Sequence, residues 1–272
     1  MSQAERWQLG GNAPEVYETQ LVPAIFEPWA PVLVAKAAPR AGEWALDVAC
    51  GTGVVTRLAA SQVGSTGRVV GLDLNPGMLA RARAAPPSEG APVDWREGNA
   101  GALPFDASTF DAVFCQLGFQ YFPDRPQAAC EMHRVLKPTG RLVTLVWRAL
   151  AHSPGFAVLA TALERHVSSA AAAVMRAPFV FGDSTDELRD LLTQAGFRTV
   201  RVGADVRMVR FASPAAFVRY QVAGSPLATH VAAVDDAARE ALIREVTEAM
   251  QGYLNDDGLA FPIEGQVAIA KP

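Results

Sequence analysis

The sequence predicts an α/β protein: a doubly wound, mostly parallel seven-stranded sheet with helical cap insertions. Over residues 44–147, short apolar runs alternate with single helix-forming stretches, which is typical of crossover connections between parallel strands. One apolar run leads into a turn that carries Gly51 and Gly53, and the next run ends on the carboxylate of Asp73. Because such turns gather at the carboxyl ends of parallel strands, we expect a ligand site at that edge.

The core elements follow from the spacing of apolar residues and from the Gly and Pro residues between them. The predicted strands are Ala45–Val48, Arg68–Leu72, Val93–Glu97, Phe110–Cys115, Arg141–Trp147, Arg198–Phe211 and Phe261–Ala270. The predicted core helices are Val54–Ser61, Gly77–Ala84, Pro126–Val135 and Thr185–Ala195. A bulge or turn is expected near Gly203, within the sixth strand.

Helical segments outside the core are predicted to form a lid and two caps. Apolar residues recur at helical spacing over residues 14–38, where Pro23, Pro28 and Pro31 are expected to break or kink the helix. Two later helical blocks are not needed to complete the sheet, so we expect them to shape a substrate pocket. The predicted units are a lid (1–40), a ligand-binding core (41–150), a cap (151–184), a core continuation (185–211), a second cap (212–255) and a final strand (256–272).

Composition narrows the class of protein. The net charge is −4 and no basic block occurs, so nucleic acid is not expected as a partner. No apolar run reaches the roughly 18 residues of a membrane span, and the first residues contain no apolar signal region. Cys50, Cys115 and Cys130 are too widely spaced for a disulfide framework or a metal clip. We expect a cytoplasmic, metal-free protein that acts as a monomer or homodimer on a small molecule.

The glycine turn and Asp73 together indicate an adenosyl ligand, because a carboxylate after the second strand matches the two hydroxyls of a ribose. Nicotinamide-binding turns have a third glycine, and Thr56 stands in its place here. The same residues also fit purely structural roles, in which Gly51 and Gly53 only allow the tight turn and Asp73 caps the next helix. Asn99 follows the third strand, where its amide is suited to an adenine edge.

Taken in order, these motifs resemble the class I S-adenosylmethionine-dependent methyltransferases, a Rossmann-like fold. The similarity is to the small-molecule type that includes the ubiquinone and menaquinone biosynthesis methyltransferases. It covers residues 40–150 densely and extends loosely through Phe197. The matching segments are Leu46–Gly53, Gly71–Leu79, Gly98–Ala100, Leu103–Phe105, Phe110–Asp111 and Arg134–Arg141.

The resemblance implies a role for each matching residue. The methionine part of the cofactor is surrounded by Asp47, Cys50, Gly51 and Gly53. The nucleoside is bound through Asp73 at the ribose, Leu74 and Met78 on the adenine, Asn99 and Ala100 at the adenine edge, and the Gln116 backbone carbonyl at the amino group. Tyr17 resembles a tyrosine that closes over the cofactor. The family more often has Gly-Asp-Ala where this chain has Gly98-Asn99-Ala100, which leaves the bond geometry at the adenine edge open.

The segment after the fourth strand is the predicted acceptor platform, because it carries amides and aromatic rings beside the expected site. Its substrate candidates are Phe119, Gln120 and Tyr121, together with His152 after the fifth strand. The catalytic candidates are His152, Gln120 and Tyr17. The alternative is that the aromatic residues only pack the loop and that the histidine has no catalytic role.

The expected function is transfer of a methyl group from S-adenosylmethionine, leaving S-adenosylhomocysteine, to a small apolar or aromatic acceptor at O, N or C. A quinone precursor or a secondary metabolite fits that description. Proximity and orientation are the main expected catalytic effects. Two enzymatic alternatives stay open, namely use of the same cofactor for a rearrangement or cyclisation and a nicotinamide-dependent oxidoreductase. A non-catalytic subunit is disfavoured by the intact glycine turn and Asp73.

Overall fold

The computed structural model describes residues 11–86 and 89–272, and it confirms the α/β fold with a mostly parallel sheet. Seven strands lie in the order β3-β2-β1-β4-β5-β8-β6, and the two-residue β7 pairs with β8. The strands are β1 Trp44–Val48, β2 Arg68–Asp73, β3 Val93–Glu97, β4 Phe110–Gln116, β5 Leu136–Trp147, β6 Thr199–Phe211, β7 Leu254–Asn255 and β8 Gly258–Lys271.

Helices lie before β1 and between the strands. They are α1 Ala13–Val16, a π-helix Tyr17–Phe26, α2 Ala30–Ala37, α3 Val54–Val63, α4 Pro76–Ala84, α5 Arg125–Val135, α6 Pro154–His166, α7 Ser169–Arg176, α8 Asp186–Gln194, α9 Pro214–Ala223, α10 Leu227–Ala232 and α11 Asp236–Ala249. Short 3-10 turns lie at Glu27–Trp29, Leu150–His152 and Gln251–Tyr253. Among the described residues, no helix is long and apolar enough to cross a membrane.

The five strands from β3 to β5 are parallel, whereas β8 runs antiparallel between β5 and β6. The chain leaves β1 towards β2 and β3 on one side, and later adds β4 and β5 on the other side. The strand order therefore reverses between β1 and β4. In open α/β sheets, that reversal leaves a crevice outside the carboxyl ends of the strands, which is where ligands bind.

The N-terminal lid changes helix type instead of breaking at its prolines. Pro23 lies inside the π-helix, which ends with the N–H of Glu27 bonded to the carbonyl of Val22, five residues back. Pro28 lies in the 3-10 turn, and Pro31 lies in the first turn of α2, where a missing N–H is tolerated. Pro23 has no N–H to donate, and the wider π-helical turn, bonded from residue i to residue i−5, accommodates it without ending the helix. The segment therefore stays helical across the mouth of the crevice.

The sixth strand differs from the sequence-based expectation of a bulge or turn near Gly203. Residues Thr199 to Phe211 pair one for one with Lys271 to Leu259 in an unbroken antiparallel ladder. A glycine in a strand does not force a bulge when both neighbours keep extended pairing. The fifth strand also starts earlier than expected, at Leu136, with a register shift against β4 near Phe110.

Two apolar clusters cover the two faces of the sheet. The smaller cluster includes Met132 of α5 and Leu188 and Leu192 of α8. The larger cluster joins the other face of the sheet to α2, α3, the lid and the cap helices, through residues such as Trp29 and Phe156. The caps and the lid therefore share one core with the sheet, which holds them over the crevice.

Candidate active site

A cavity of about 450 Å³ lies at the crevice predicted by the strand order. Its floor is formed by the segments that follow β1, β2, β3 and β4, and its roof by the π-helix and by residues of both caps. This volume lies within the range of small-molecule pockets in proteins. Among the described lining residues, Asp73 is the one with a charged side chain.

Asp73 lies at the end of β2 and lines the cavity. Its Oδ2 accepts a hydrogen bond of 2.7 Å from the N–H of Gly51, and its Oδ1 accepts one of 2.8 Å from the N–H of Asn75. Desolvation raises the pKa of Asp73 above its ordinary value, and these backbone N–H groups partly offset the shift. Asn75, and not Asp73, caps α4 by accepting from the N–H groups of Gly77 and Met78.

The two glycines of the turn have different surroundings. Gly51 has φ +55°, lines the cavity and lies beneath the phenol of Tyr17. Gly53 has φ +91°, and a Cβ there would lie 2.2 Å from Cη2 of Trp95 on β3. The absence of a side chain at Gly53 therefore leaves room for the Trp95 ring. Gly53 does not line the cavity, whereas the resemblance implies a place beside the cofactor.

Asp47 and Cys50 also lie behind the turn and not on the cavity wall. Asp47 is 1% exposed, and its Oδ2 accepts a hydrogen bond of 2.6 Å from Thr56 Oγ1. The Cys50 thiol lies 3.1 Å from the position of a Cβ on Gly71, so it points towards β2. Burial raises the pKa of Asp47 to about 7 and that of Cys50 well above its usual value. Both side chains support the turn from below.

The raised pKa of Asp47 predicts a stability that depends on pH. Between pH 4 and pH 7 the folded protein keeps the Asp47 proton, whereas the unfolded chain releases it. Stability from this group is therefore complete below the unfolded pKa and falls as pH rises towards 7. We expect the wild type to lose about 4 kcal/mol relative to Asp47→Asn over that interval, measured by urea unfolding without added nucleotide. Equal pH slopes for the two proteins would contradict this.

The expected adenine residues meet at one end of the cavity, which is lined by Leu74, Met78, Asn99 and Ala100. Leu74 is 44% exposed, an unusual degree of exposure for a leucine on a cavity wall. The Oδ1 of Asn99 accepts from the N–H of Gly101 at 2.9 Å, so its Nδ2 is the side-chain group left for a ligand.

Tyr17 and Gln116 also line the cavity, and both contact Phe26 of the π-helix. The Tyr17 ring stacks on Phe26, with ring centroids 4.9 Å apart. Burial raises the pKa of Tyr17 far above its usual value, so the phenol is neutral. Gln116 Nε2 donates to the Phe26 carbonyl at 3.1 Å and ties the end of β4 to the π-helix.

Part of the predicted acceptor platform lies elsewhere. The chain turns at Leu117, whose φ is +64°, so that Leu117 and Gly118 line the cavity while Phe119 and Gln120 are fully buried behind it. Phe119 belongs to the smaller apolar cluster. Gln120 Oε1 accepts from the N–H of Trp147 at 3.1 Å, so its amide holds the end of β5. Neither residue lines the cavity.

His152 does not line the cavity either. Its Nε2 lies 2.7 Å from Asp183 Oδ1, and its Nδ1 lies 3.5 Å from Glu264 Oε2. This arrangement joins the first cap to β8 and uses both ring nitrogens. Tyr121 does line the cavity, and burial raises its pKa to about 12.

The roof contains residues that motif reasoning did not single out as site residues, namely Leu21, Ile25, Phe26, Trp147, Phe156, Met175, Phe179 and Gln221. They come from the lid, from the end of β5 and from both caps. The apolar character of the caps is the one sequence feature that indicates these residues, but it does not distinguish residues that line the cavity from residues that pack in the core.

Comparison with known proteins agrees with this geometry. Residues 46–144 match a family model described as a methyltransferase domain. An uncharacterised protein of Mycobacterium tuberculosis is 37% identical over 143 residues, which is 53% of this chain and 49% of that protein. A demethylmenaquinone methyltransferase of Symbiobacterium thermophilum is 40% identical over 122 residues, which is 44% of this chain and 49% of that enzyme. The chain spans about half the length of these curated relatives.

A solved structure extends the similarity in fold to most of the chain. A putative methyltransferase from an antibiotic biosynthesis pathway of Anabaena variabilis superposes with a TM-score of 0.64 at 15% identity, covering 90% of this chain and 97% of that one. Residues 46–144, which contain the glycine turn and the carboxylate after β2, therefore match the methyltransferase domain family, and in these features the chain is similar to S-adenosylmethionine-dependent methyltransferases.

Proposed function

We propose that this protein transfers a methyl group from S-adenosylmethionine to a small, uncharged, apolar or aromatic acceptor. The observation that carries the proposal is one continuous cavity whose floor is the Asp73 edge of the sheet and whose roof is aromatic. A donor bound along the floor would therefore face an acceptor bound under the roof.

The floor residues fit the cofactor in this proposal. Asp73 accepts from the two ribose hydroxyls, with its carboxylate already oriented by two backbone N–H groups. The exposed Leu74 side chain and Met78 pack on the adenine ring, while Asn99 Nδ2 and the Ala100 backbone lie at its edge. Gly51 and Tyr17 enclose the methionine part. Asp47, Cys50 and Gly53 act indirectly, by holding the turn.

The cofactor supplies a methyl group on a sulfonium, and its departure leaves a neutral thioether, so no acid is needed. The protein aligns the two reactants and excludes water, which are entropic and solvation contributions. Tyr17 and Tyr121 are neutral phenols, and the described lining residues include no histidine, lysine or glutamate. The acceptor therefore binds uncharged and attacks the methyl carbon with its own lone pair, and the cavity orients it. The proton of an attacked O–H or N–H leaves to solvent after the transfer.

Parallel calorimetric titrations with S-adenosylhomocysteine, S-adenosylmethionine and NADH test the cofactor. We expect micromolar binding of the two sulfur nucleotides and none of NADH. Incubation of the protein with deuteromethyl-labelled S-adenosylmethionine and neutral hydroxylated or aminated naphthalenes then tests transfer, through the label in the product. Because the acceptor binds uncharged, turnover should fall as the pH rises through the pKa of the acceptor. Binding of NADH alone would overturn the proposal.

A further inference from the structure

Two glutamines that line the cavity have side-chain amides whose hydrogen bonds are incomplete. Gln116 lies on the floor, at the end of β4, and Gln221 lies on the roof, in α9 of the second cap. Gln116 Oε1 and Gln221 Nε2 are buried and have no hydrogen-bond partner among the described residues. A buried polar group without a partner costs free energy, so a native structure that keeps two in one cavity indicates a ligand that satisfies them.

The orientation of the Gln116 amide follows from its other bond. Its Nε2 donates to the Phe26 carbonyl, and a reversed amide would place two oxygens against each other. The group that Gln116 presents without a partner is therefore an acceptor, suited to a hydroxyl or N–H of the ligand.

Gln221 is held in place by its helix. It is 5% exposed, its backbone carbonyl accepts from Ser225 Oγ at 2.5 Å, and Ser213 caps α9 through the N–H of Ala216. Close packing fixes this end of α9 against the lid, because a Cβ on Gly224 would lie 2.6 Å from Cδ1 of Leu21. The helix therefore fixes the backbone of Gln221, and in the described orientation of the side-chain amide Nε2 is the group without a partner, a donor suited to a carbonyl.

The surroundings of the two amides exclude a charged ligand group. The walls near the roof are Phe26, Trp147, Phe156, Met175 and Phe179. No arginine, lysine or histidine lines the cavity in the part of the chain that the structure describes, and its one carboxylate is Asp73. An anionic acceptor would lose its hydration without gaining a cationic side chain of the protein, which is unfavourable.

We propose that Gln116 and Gln221 form the specificity-determining pair of the acceptor site, which takes an uncharged aromatic ring system bearing one hydroxyl or N–H donor and one carbonyl. The hydroxyl or N–H donates to Gln116 Oε1, and the carbonyl accepts from Gln221 Nε2. This inference rests on the proposed function and adds the substrate class to it. The two amides bind and orient the acceptor, and they take no proton from it.

The test is a matched series on one naphthalene body: 2-naphthol, 2-acetylnaphthalene, two acetyl-2-naphthols with adjacent or opposite substituents, and 6-hydroxy-2-naphthoate. Each compound is titrated by fluorescence, with and without saturating S-adenosylhomocysteine. We expect at least one hydroxy ketone to bind about tenfold more tightly than either monofunctional compound. The carboxylate should bind most weakly. Equal affinities for all the neutral compounds, or tightest binding of the carboxylate, would show that Gln116 and Gln221 do not determine the specificity of the acceptor site.

Variants assign each bond. Gln221→Leu should remove the gain in affinity that the acetyl group gives and leave the affinity for 2-naphthol unchanged. Gln116→Leu should remove the gain in affinity that the hydroxyl gives and leave the affinity for 2-acetylnaphthalene unchanged. Gln251→Leu, at an exposed glutamine outside the cavity, is the matched control. S-adenosylhomocysteine should bind Gln221→Leu as tightly as wild type. If the protein binds S-adenosylhomocysteine but binds all the neutral naphthalenes with equal affinity, this inference alone is wrong. If it binds no S-adenosyl nucleotide, the proposed function is wrong.

Discussion

Asp73→Ala is expected to weaken S-adenosylhomocysteine binding by about 3 kcal/mol or more, which is about a hundredfold or more. Two effects add. The two ribose hydroxyls lose a charged acceptor, and the N–H groups of Gly51 and Asn75 lose the carboxylate that orders the turn. Removal of Asp73 relieves its desolvation but leaves these two N–H groups without their acceptor, so the loss of folding stability is expected to be smaller than the loss of binding free energy. Calorimetric titration and thermal unfolding of the same variant measure the two effects separately.

Two controls sharpen this prediction. Asp73→Asn keeps one side-chain oxygen as an acceptor but loses the charge, so its affinity should lie between wild type and Asp73→Ala. Asp94→Ala removes a half-exposed carboxylate of β3 that is paired with Arg68 and Arg96 outside the cavity, and it should bind as wild type does. Wild-type affinity in Asp73→Ala would show that this carboxylate does not hold the ribose.

Gly53→Ala is expected to destabilise the protein by about 3 kcal/mol or more. An alanine at φ +91° is strained by about 1–2 kcal/mol, and its Cβ would also overlap the Trp95 ring at 2.2 Å. The turn cannot move away without disturbing Gly51, so weaker nucleotide binding should accompany the loss. Urea unfolding measures the stability of the variant.

A matched glycine separates strain from overlap. Gly42 has φ +85°, and a Cβ there would meet only Thr66 Oγ1 at an ordinary 3.6 Å, so Gly42→Ala should show the backbone strain alone. In the double variant Gly53→Ala/Trp95→Ala, relief of the overlap should make the total loss smaller than the sum of the single losses. Similar losses for Gly42→Ala and Gly53→Ala would argue against a role for Trp95.

The positions of the floor residues were predictable because they depend on local order along the chain. A strand, a tight turn and a helix in alternation place Gly51, Asp73 and Asn99 at the same edge of a parallel sheet, whatever the remainder of the chain does. The alternative role of Asp73 as a helix cap could not be decided locally, since Asn75 lies two residues further on and is also a good cap. The structure assigns that cap to Asn75.

The sequence could not show which residues of the predicted acceptor platform line the cavity, because that depends on the backbone conformation of one turn. Phe119, Gln120 and Tyr121 are neighbours in sequence, yet a left-handed backbone at Leu117 buries the first two and leaves Tyr121 on the cavity wall. His152 was placed near the site by its position after β5, and its two acidic neighbours come from distant segments. Contacts between residues far apart in sequence leave no local pattern.

The sequence by itself therefore determined the fold class, the order of the core strands and helices, and the edge of the sheet where the proposed cofactor residues meet. These follow from periodicity and from turn chemistry, which act over a few residues. Only the tertiary structure decided that Gly53 faces Trp95, that Asp47 is buried beneath the turn, and that Gln116 and Gln221 share one cavity. Those relations depend on how distant elements pack, because the free energy that selects them comes from burial and hydrogen bonding across the whole chain.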